Sequence, residues 1–188
     1  MSERSKRELV SWIKAVILGF TIVIVVKSFL FSNYVVEGKS MMPTLKDGNR
    51  LIVNKLDYDV SAPKHGDIVI FHATPTEDYV KRVIGLPGDT IEYKGDQLLR
   101  NGKEVDEPYL KAYKNQLESG QLTEDFTLKE KTGKTRVPKG MLWVMGDNRI
   151  KSSDSRMPWI GFVDMDQLVG KVSLRYYPTN DINTFSTN

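Results

Sequence analysis

The chain has 188 residues, a net charge of +3, 40% hydrophobic and 27% charged residues, two histidines and no cysteine. That length suits one domain with room for an insertion. So small a charge, with lysines interleaved among acids, gives no suggestion of nucleic-acid binding, and the lack of cysteine excludes disulfides, thiolate catalysis, zinc-thiolate sites and iron–sulfur clusters.

In chain order, Arg4, Lys6, Arg7 and Lys14 come first, set against Glu3 and Glu8, and Ala15–Val26 follows as an uncharged run rich in Val and Ile. As a helix that run covers roughly 18 Å, short of the roughly 30 Å hydrocarbon core. From Trp12 to Phe31 the segment does span, provided Lys14 and Lys27 snorkel toward the headgroups. Trp12 at one end and Phe29, Phe31 and Tyr34 at the other suit the two interfaces. A cleaved signal peptide would also start basic, but residues 28–36 offer no Ala-x-Ala-like site. A buried globular helix would not explain the flanking charges. The expectation is an uncleaved anchor over 12–31 in the cell membrane, with 1–11 cytoplasmic and the rest extracytoplasmic by the positive-inside rule.

Beyond the anchor, period-two runs alternate with turn residues. Strands are expected at Tyr34–Glu37, Arg50–Asn54, Ile68–Phe71, Tyr79–Ile84, Thr90–Tyr93, Gln97–Arg100, Lys103–Val105, Leu142–Met145 and Leu168–Tyr176. Asn101-Gly102 signals a type I′ hairpin. Residues 101–137 hold seven basic and seven acidic residues and few apolar ones, which suits an insertion or cap. The expected fold is mainly β, with an antiparallel or mixed catalytic core at 32–100 and 138–178. A small inserted subdomain at 101–137 and a flexible polar tail at 179–188 complete it.

Three segments carry chemistry-bearing residues. Gly38-Lys39-Ser40-Met41-Met42-Pro43-Thr44 is a stiff loop that could present a serine hydroxyl, although most serines in such loops are turn residues. A serine nucleophile needs a base. His65 lies in a polar turn and His72 at a strand end, so both read as structural, which leaves a lysine or a carboxylate. In Tyr79-Val80-Lys81-Arg82-Val83-Ile84 one of two adjacent basic residues must face inward if the strand is central. A lysine there, desolvated by two or three units from about 10.4, could serve as a base; the bland alternative is a solvated strand edge. Residues 146–156 pack Gly, Asp, Asn, Arg and Ser into one polar loop, in which Asp147 and Asp154 could pair with Arg82, Arg149 or Arg156.

Taken together, Ser-Met-x-Pro-Thr at 40–44, Lys-Arg-Val-Ile-Gly-x-Pro-Gly-Asp at 81–89, Gly-Asp-Asn-Arg-x-x-Ser-x-Asp-Ser-Arg at 146–156 and Gly-Asp-Ile-Val at 66–69 resemble the motif set of type I signal peptidases, or leader peptidases. The single anchor resembles the Gram-positive bacterial subset. The likeness covers about residues 1–100 and 138–176. It implies Ser40 as nucleophile, Lys81 as general base and Ser152 as the hydroxyl orienting the amine. Arg82, Asp147, Asp154 and Arg156 would be a supporting network, and the Ser40 backbone N–H one oxyanion donor. Some family members place a serine hydroxyl as second donor two residues before the nucleophile; that position is Gly38 here, as in the subset resembling Gram-positive enzymes, so that role is open. The implied substrate is a secretory preprotein, cut after small residues at the third and first positions. It would lie as an added strand beside Tyr34–Glu37 and Tyr79–Ile84 and touch Gly38, Met41, Met42, Pro43, Tyr79 and Val83. Met41 and Met42 with Trp159, Ile160 and Phe162 would face lipid, core packing being nearly as good a reading for the last three. The resemblance implies no cofactor and no metal, and a monomer working near the export machinery.

Rival readings are weaker. Ser-x-x-Lys at 11–14 and 61–64 with Lys131-Thr132-Gly133 suggests a penicillin-binding enzyme, but Pro63 breaks the required helical turn and no Ser-Asp-Asn element occurs. Self-cleaving repressors share the chemistry but carry a DNA-binding domain. An inactive membrane-tethered binding module would not need every reacting residue.

Overall fold

The structure, a computed structural model, describes residues 3–55 and 62–185, of which 3, 4, 6, 7, 9, 10, 28 and 29 are described in backbone only. The expected charges at Arg4, Lys6 and Arg7, the aromatic at Phe29 and the rival serine Ser61 therefore lie outside the described side chains.

Helix α1 is Glu3–Leu30. Its side chains from 11 to 27 are all exposed, Trp12 at 73% and Phe20 at 68% among them. Among the described residues no helix is long and apolar enough to cross a membrane.

Among the described residues twelve strands follow: β1 Phe31–Val35, β2 Arg50–Asn54, β3 Ile68–His72, β4 Asp78–Gly85, β5 Ile91–Lys94, β6 Gln97–Arg100, β7 Lys103–Val105, β8 Phe126–Thr127, β9 Met141–Met145, β10 Val163–Asp164, β11 Leu168–Tyr177 and β12 Asn183–Thr184. Nine of them lie close to the expected positions, and the two-residue strands β8, β10 and β12 are additional. Two short helices, α2 (Lys111–Lys114) and α3 (Leu128–Thr132), lie between β7 and β9. β1 begins three residues earlier than the pattern suggests, directly out of α1. Asn101 and Gly102 both take positive φ, +56° and +74°, the type I′ signature that matches the twist of β6 and β7.

Every pairing among the described strands is antiparallel. The main sheet runs β1-β2-β11-β3-β4-β9-β10 with β12 added to β11, and a small sheet runs β7-β6-β5-β8. The small sheet thus starts at Ile91, so Ile91–Arg100, expected among the strands of the catalytic core, pair with β7 and β8 and not with the main sheet. Alternation shows that a segment is a strand with one buried face; it does not say which sheet buries it. Here Ile91, Tyr93 and Leu98 join Phe126 and Leu128 against Trp143 and Met145 of β9, so one core cluster welds the two sheets.

The segment after Pro178 is also more than a polar tail. Thr179–Asp181 forms a 3-10 turn, and β12 pairs with β11. Arg175 holds that turn, donating from Nε to the Asp181 carbonyl at 2.7 Å and from Nη2 to its carboxylate at 2.5 Å. Local polarity carries no sign of such an ion pair.

Two sheet features shape the site. β1 is an edge strand. β4 pairs with β3 along Asp78–Arg82, whereas β9 reaches only Arg82–Gly85, so the other edge of Asp78–Lys81 has no strand partner among the described residues.

Candidate active site

A cleft of about 430 Å³ opens between these two edges, lined by Tyr34–Ser40 on one side and Asp78–Lys81 on the other, with Leu51 and Ile70 beneath and Lys151 and Ser153 at the rim. Ser40 sits where the chain turns from β1 toward β2. The amide of Leu45 donates to the Met41 carbonyl at 2.9 Å, a single helical turn that drives Met41 and Leu45 into one buried cluster with Leu51 and Val53. Burying the residue after the serine leaves the serine itself facing the cleft.

Lys81 is 4% exposed, and its Nζ lies 2.9 Å from Ser40 Oγ and 3.0 Å from the Val80 carbonyl oxygen. The Tyr79 ring covers it, with Nζ 5.0 Å from the centroid. Burial pushes the lysine down from 10.5 to about 8, while Asp154 and Asp147 pull the other way. The inward member of the Lys-Arg pair is therefore not a choice of one: Arg82 is buried as well, on the opposite face. It forks onto Asp147 at 2.8 and 2.7 Å and donates to the Gly66 carbonyl at 2.9 Å. Burial works against the Arg82 charge, and the Asp147 carboxylate more than offsets it.

The 146–156 loop frames the nucleophile from the other side. Asn148 donates its amide N–H to the Ser40 carbonyl at 2.9 Å and its side-chain Nδ2 to the Lys39 carbonyl at 3.0 Å. Thr44 donates to Asp147 at 2.5 Å. Asp154 accepts from Arg156 at 2.8 and 2.9 Å and from the Gly146 amide at 3.0 Å; burial raises its pKa, and Arg156 more than reverses this. A Cβ on Gly146 would stand 2.5 Å from the Ser40 carbonyl oxygen and inside the Ser152 side chain, so only glycine lets those two serines converge.

Of the residues singled out from the sequence, Ser40, Lys81, Arg82, Asp147, Asp154 and Arg156 come together. Ser152 is buried beside them, but the bonds of the Lys81 amine go to Ser40 and Val80. Among the described residues the Ser152 hydroxyl makes no hydrogen bond of ordinary geometry, although it stands near enough to Asp154 to favour that carboxylate's charge. Gly38 and Tyr79 line the cleft, and the N–H of Gly38 is already donated to Asp47 at 2.7 Å. Met41 and Val83 do not line it, since both are 1% exposed core residues, and Met42 and Pro43 are half-buried outside it. Trp159 is 72% exposed, whereas Ile160 and Phe162 pack on the core. His65 bonds Asp89 and His72 bonds Asp78, each at 2.6 Å. Sequence reasoning missed Thr44, Asn148 and the partner of Arg149, which is Glu107 of the small-sheet segment at 2.5 Å. The only available signal was the density of Gly, Asn and Arg between β9 and Ser152.

A family model described as signal peptidase, peptidase S26, matches residues 9–177. The chain is 62% identical over 157 residues to signal peptidase I of Bacillus caldolyticus, covering 84% of this chain and 85% of that one. It is 43% identical over 180 residues to signal peptidase IB of Staphylococcus aureus, covering 94% and 93%. The crystal structure of a signal peptidase I from Enterococcus faecalis V583 superposes with a TM-score of 0.56 at 39% identity, covering 61% of this chain and 99% of that one.

Proposed function

The chain belongs to the signal peptidase family, peptidase S26, and on that premise we propose that its chemistry runs on Ser40 and Lys81. It is a serine endopeptidase that removes signal peptides from secretory preproteins. The observation that carries the assignment of roles is the 2.9 Å contact between Lys81 Nζ and Ser40 Oγ inside a cleft with two open strand edges. When the amine is neutral, the same contact lets the hydroxyl donate to its lone pair.

The preprotein lies extended between Val35–Gly38 and Asp78–Lys81 and adds to both edges. Ser40 Oγ attacks the scissile carbonyl as its proton passes to Lys81, and the oxyanion is met by the Ser40 N–H. Lys81 then returns the proton to the departing amine, the acyl-enzyme remains, and Lys81 deprotonates the water that hydrolyses it. Arg82–Asp147 and Asp154–Arg156 hold the frame. At pH 7 a shift from 10.5 to about 8 raises the neutral fraction of the amine from about 1 in 3,000 to about 1 in 10.

The proposal extends to topology: α1 anchors the protein in the cell membrane with its start cytoplasmic, and the catalytic body works outside as a monomer near the export machinery, with Trp159 against lipid. Support comes from the exposed apolar side chains along α1 between Lys14 and Lys27.

The test is incubation of the purified, detergent-solubilised protein with a preprotein, mapping the cut by mass spectrometry. Wild type releases the signal peptide after small residues, and Ser40→Ala and Lys81→Ala bind preprotein without cutting it. Substantial cleavage by Ser40→Ala sinks the assignment, and binding without turnover by wild type favours a tethering module.

A further inference from the structure

The reaction cycle leaves a buried charge pair unused. Glu107 follows β7 in the small-sheet segment. Its side chain is 2% exposed, and that of Arg149, opposite, is 0% exposed. One carboxylate oxygen, Oε1, accepts from Arg149 Nη2 at 2.5 Å, from Tyr109 OH at 2.6 Å and from Tyr93 OH at 2.8 Å, while Oε2 is buried without a partner among the described residues. Pairs this deep are poor stabilisers, because desolvation cancels much of their attraction and apolar replacements often do as well. The far ends of this pair point to a different task.

Two arms run from Glu107 to the catalytic residues. Through Arg149, whose Nε donates to the Gly146 carbonyl at 3.0 Å, it fixes the segment whose Asn148 holds the Ser40 and Lys39 carbonyls. Through Tyr109, whose ring lies 3.9 Å from the Arg82 guanidinium, it steadies the cation that forks onto Asp147, itself the acceptor of Thr44. Neither Glu107 nor Tyr109 lines the substrate cleft.

We propose that Glu107 and Tyr109 are positioning residues for the cleavage reaction: the small sheet clamps residues 146–149 and Arg82, and so sets Ser40 against Lys81. This rests on the assignment of Ser40 and Lys81 made above.

The arrangement has a pH signature that a merely structural role lacks. The charged groups acting on the Lys81 amine are Asp154 and Asp147. Asp154 is neutralised by Arg156, and Asp147 by Arg82, which in turn faces Tyr109 and Arg149. Removing the ring that steadies Arg82 leaves Asp147 less neutralised, so its field favours the lysine ammonium and the rising limb of activity moves to higher pH.

The experiment compares kcat, KM and pH profiles of full-length Tyr109→Leu, Tyr109→Phe and Glu107→Gln on a signal-peptide substrate, per folded molecule as judged by circular dichroism. Tyr109→Leu should lose about tenfold or more in kcat at nearly constant KM, as expected for misplaced reacting groups, and its midpoint should rise by about half a unit. Tyr109→Phe, which keeps the ring, should keep the midpoint and lose only a few-fold. Glu107→Gln should lose kcat about as Tyr109→Leu does; if it fails to fold, the two Tyr109 variants decide. Wild-type kcat in the folded variants overturns the proposal, and so does a loss in Tyr109→Leu with no movement of the midpoint. Ser40→Ala and Lys81→Ala run alongside. Activity in either would overturn the dyad and the clamp with it, whereas inactive dyad variants beside wild-type-like Glu107 and Tyr109 variants overturn the clamp alone.

Discussion

At the scale of single residues, the decisive fact is a lysine kept out of water. Burial shifts Lys81 from 10.5 to about 8, and this has one consequence for rate and another for stability. For rate, the neutral amine is the base, so kcat/KM for peptide cleavage should rise about tenfold per unit from pH 6 and level off above about 8. A profile flat from pH 6 to 9 would show that another group takes the serine proton. For stability, the sign follows from linkage: between about 8 and 10.5 the unfolded lysine binds a proton that the folded one has lost. The penalty is therefore complete below about pH 8 and fades as pH rises toward 10.5. Its size is about 3 kcal/mol. Lys81→Met should accordingly be inactive yet melt higher than wild type at pH 7, with the gain shrinking above pH 8 in thermal scans. A lower melting temperature at pH 7 would mean that the lysine's contacts outweigh its desolvation.

At the scale of elements, β4 and the 146–156 loop are joined by ion pairs whose members are far apart in sequence. Removing one partner of a buried pair leaves the other charge stranded, which costs about 3–5 kcal/mol. Arg82→Ala strands Asp147, whose side chain is 1% exposed, and should show a loss of that size in urea unfolding. The double change Arg82→Met with Asp147→Leu should recover much of the stability but not the cleavage activity, because Thr44 and the nucleophile loop lose their anchor. Equal activity in the double variant would reduce the pair to packing. The same pairs mark how far sequence could be read. Period-two alternation located β2 to the residue, since that strand buries one face, and the Asn101-Gly102 turn signal did the same for β6 and β7; for Lys81 alternation left open whether its strand was central or a solvated edge. The motif boxes brought Ser40, Lys81, Arg82, Asp147, Asp154 and Arg156 to one site. What alternation could not settle was which sheet takes Ile91–Arg100, because a hydrophobic face does not name its partner. Nor could it see that Met41 and Val83 turn inward, or that Arg149 answers Glu107 across more than forty residues, since those outcomes depend on contacts between distant elements.

At the scale of the whole molecule, the open question is what covers α1. Val16, Ile17, Leu18, Phe20, Ile22, Val23, Ile24, Val25 and Val26 are each at least 47% exposed. At about 1.5–3 kcal/mol for burying such a side chain, leaving them in water forgoes well over about 10 kcal/mol, and a lipid interior recovers it. The rest of the fold does not depend on that helix: the three core clusters draw on residues from Tyr34 onward, and the last residue of α1, Leu30, is tied in by the Lys55 amide to its carbonyl at 3.0 Å. A chain beginning at Leu30 should therefore keep β1, fold without detergent and cleave a soluble peptide at close to the full-length kcat. It should fail to float with liposomes in a density gradient, where the full-length protein does float. Its rate on a preprotein held in a vesicle should fall much further than its rate on the soluble peptide, because the helix contributes by confining enzyme and signal peptide to one surface. Full-length protein that stays in solution without detergent and ignores liposomes would remove the anchor. In that case the exposed face of α1 must be covered by protein.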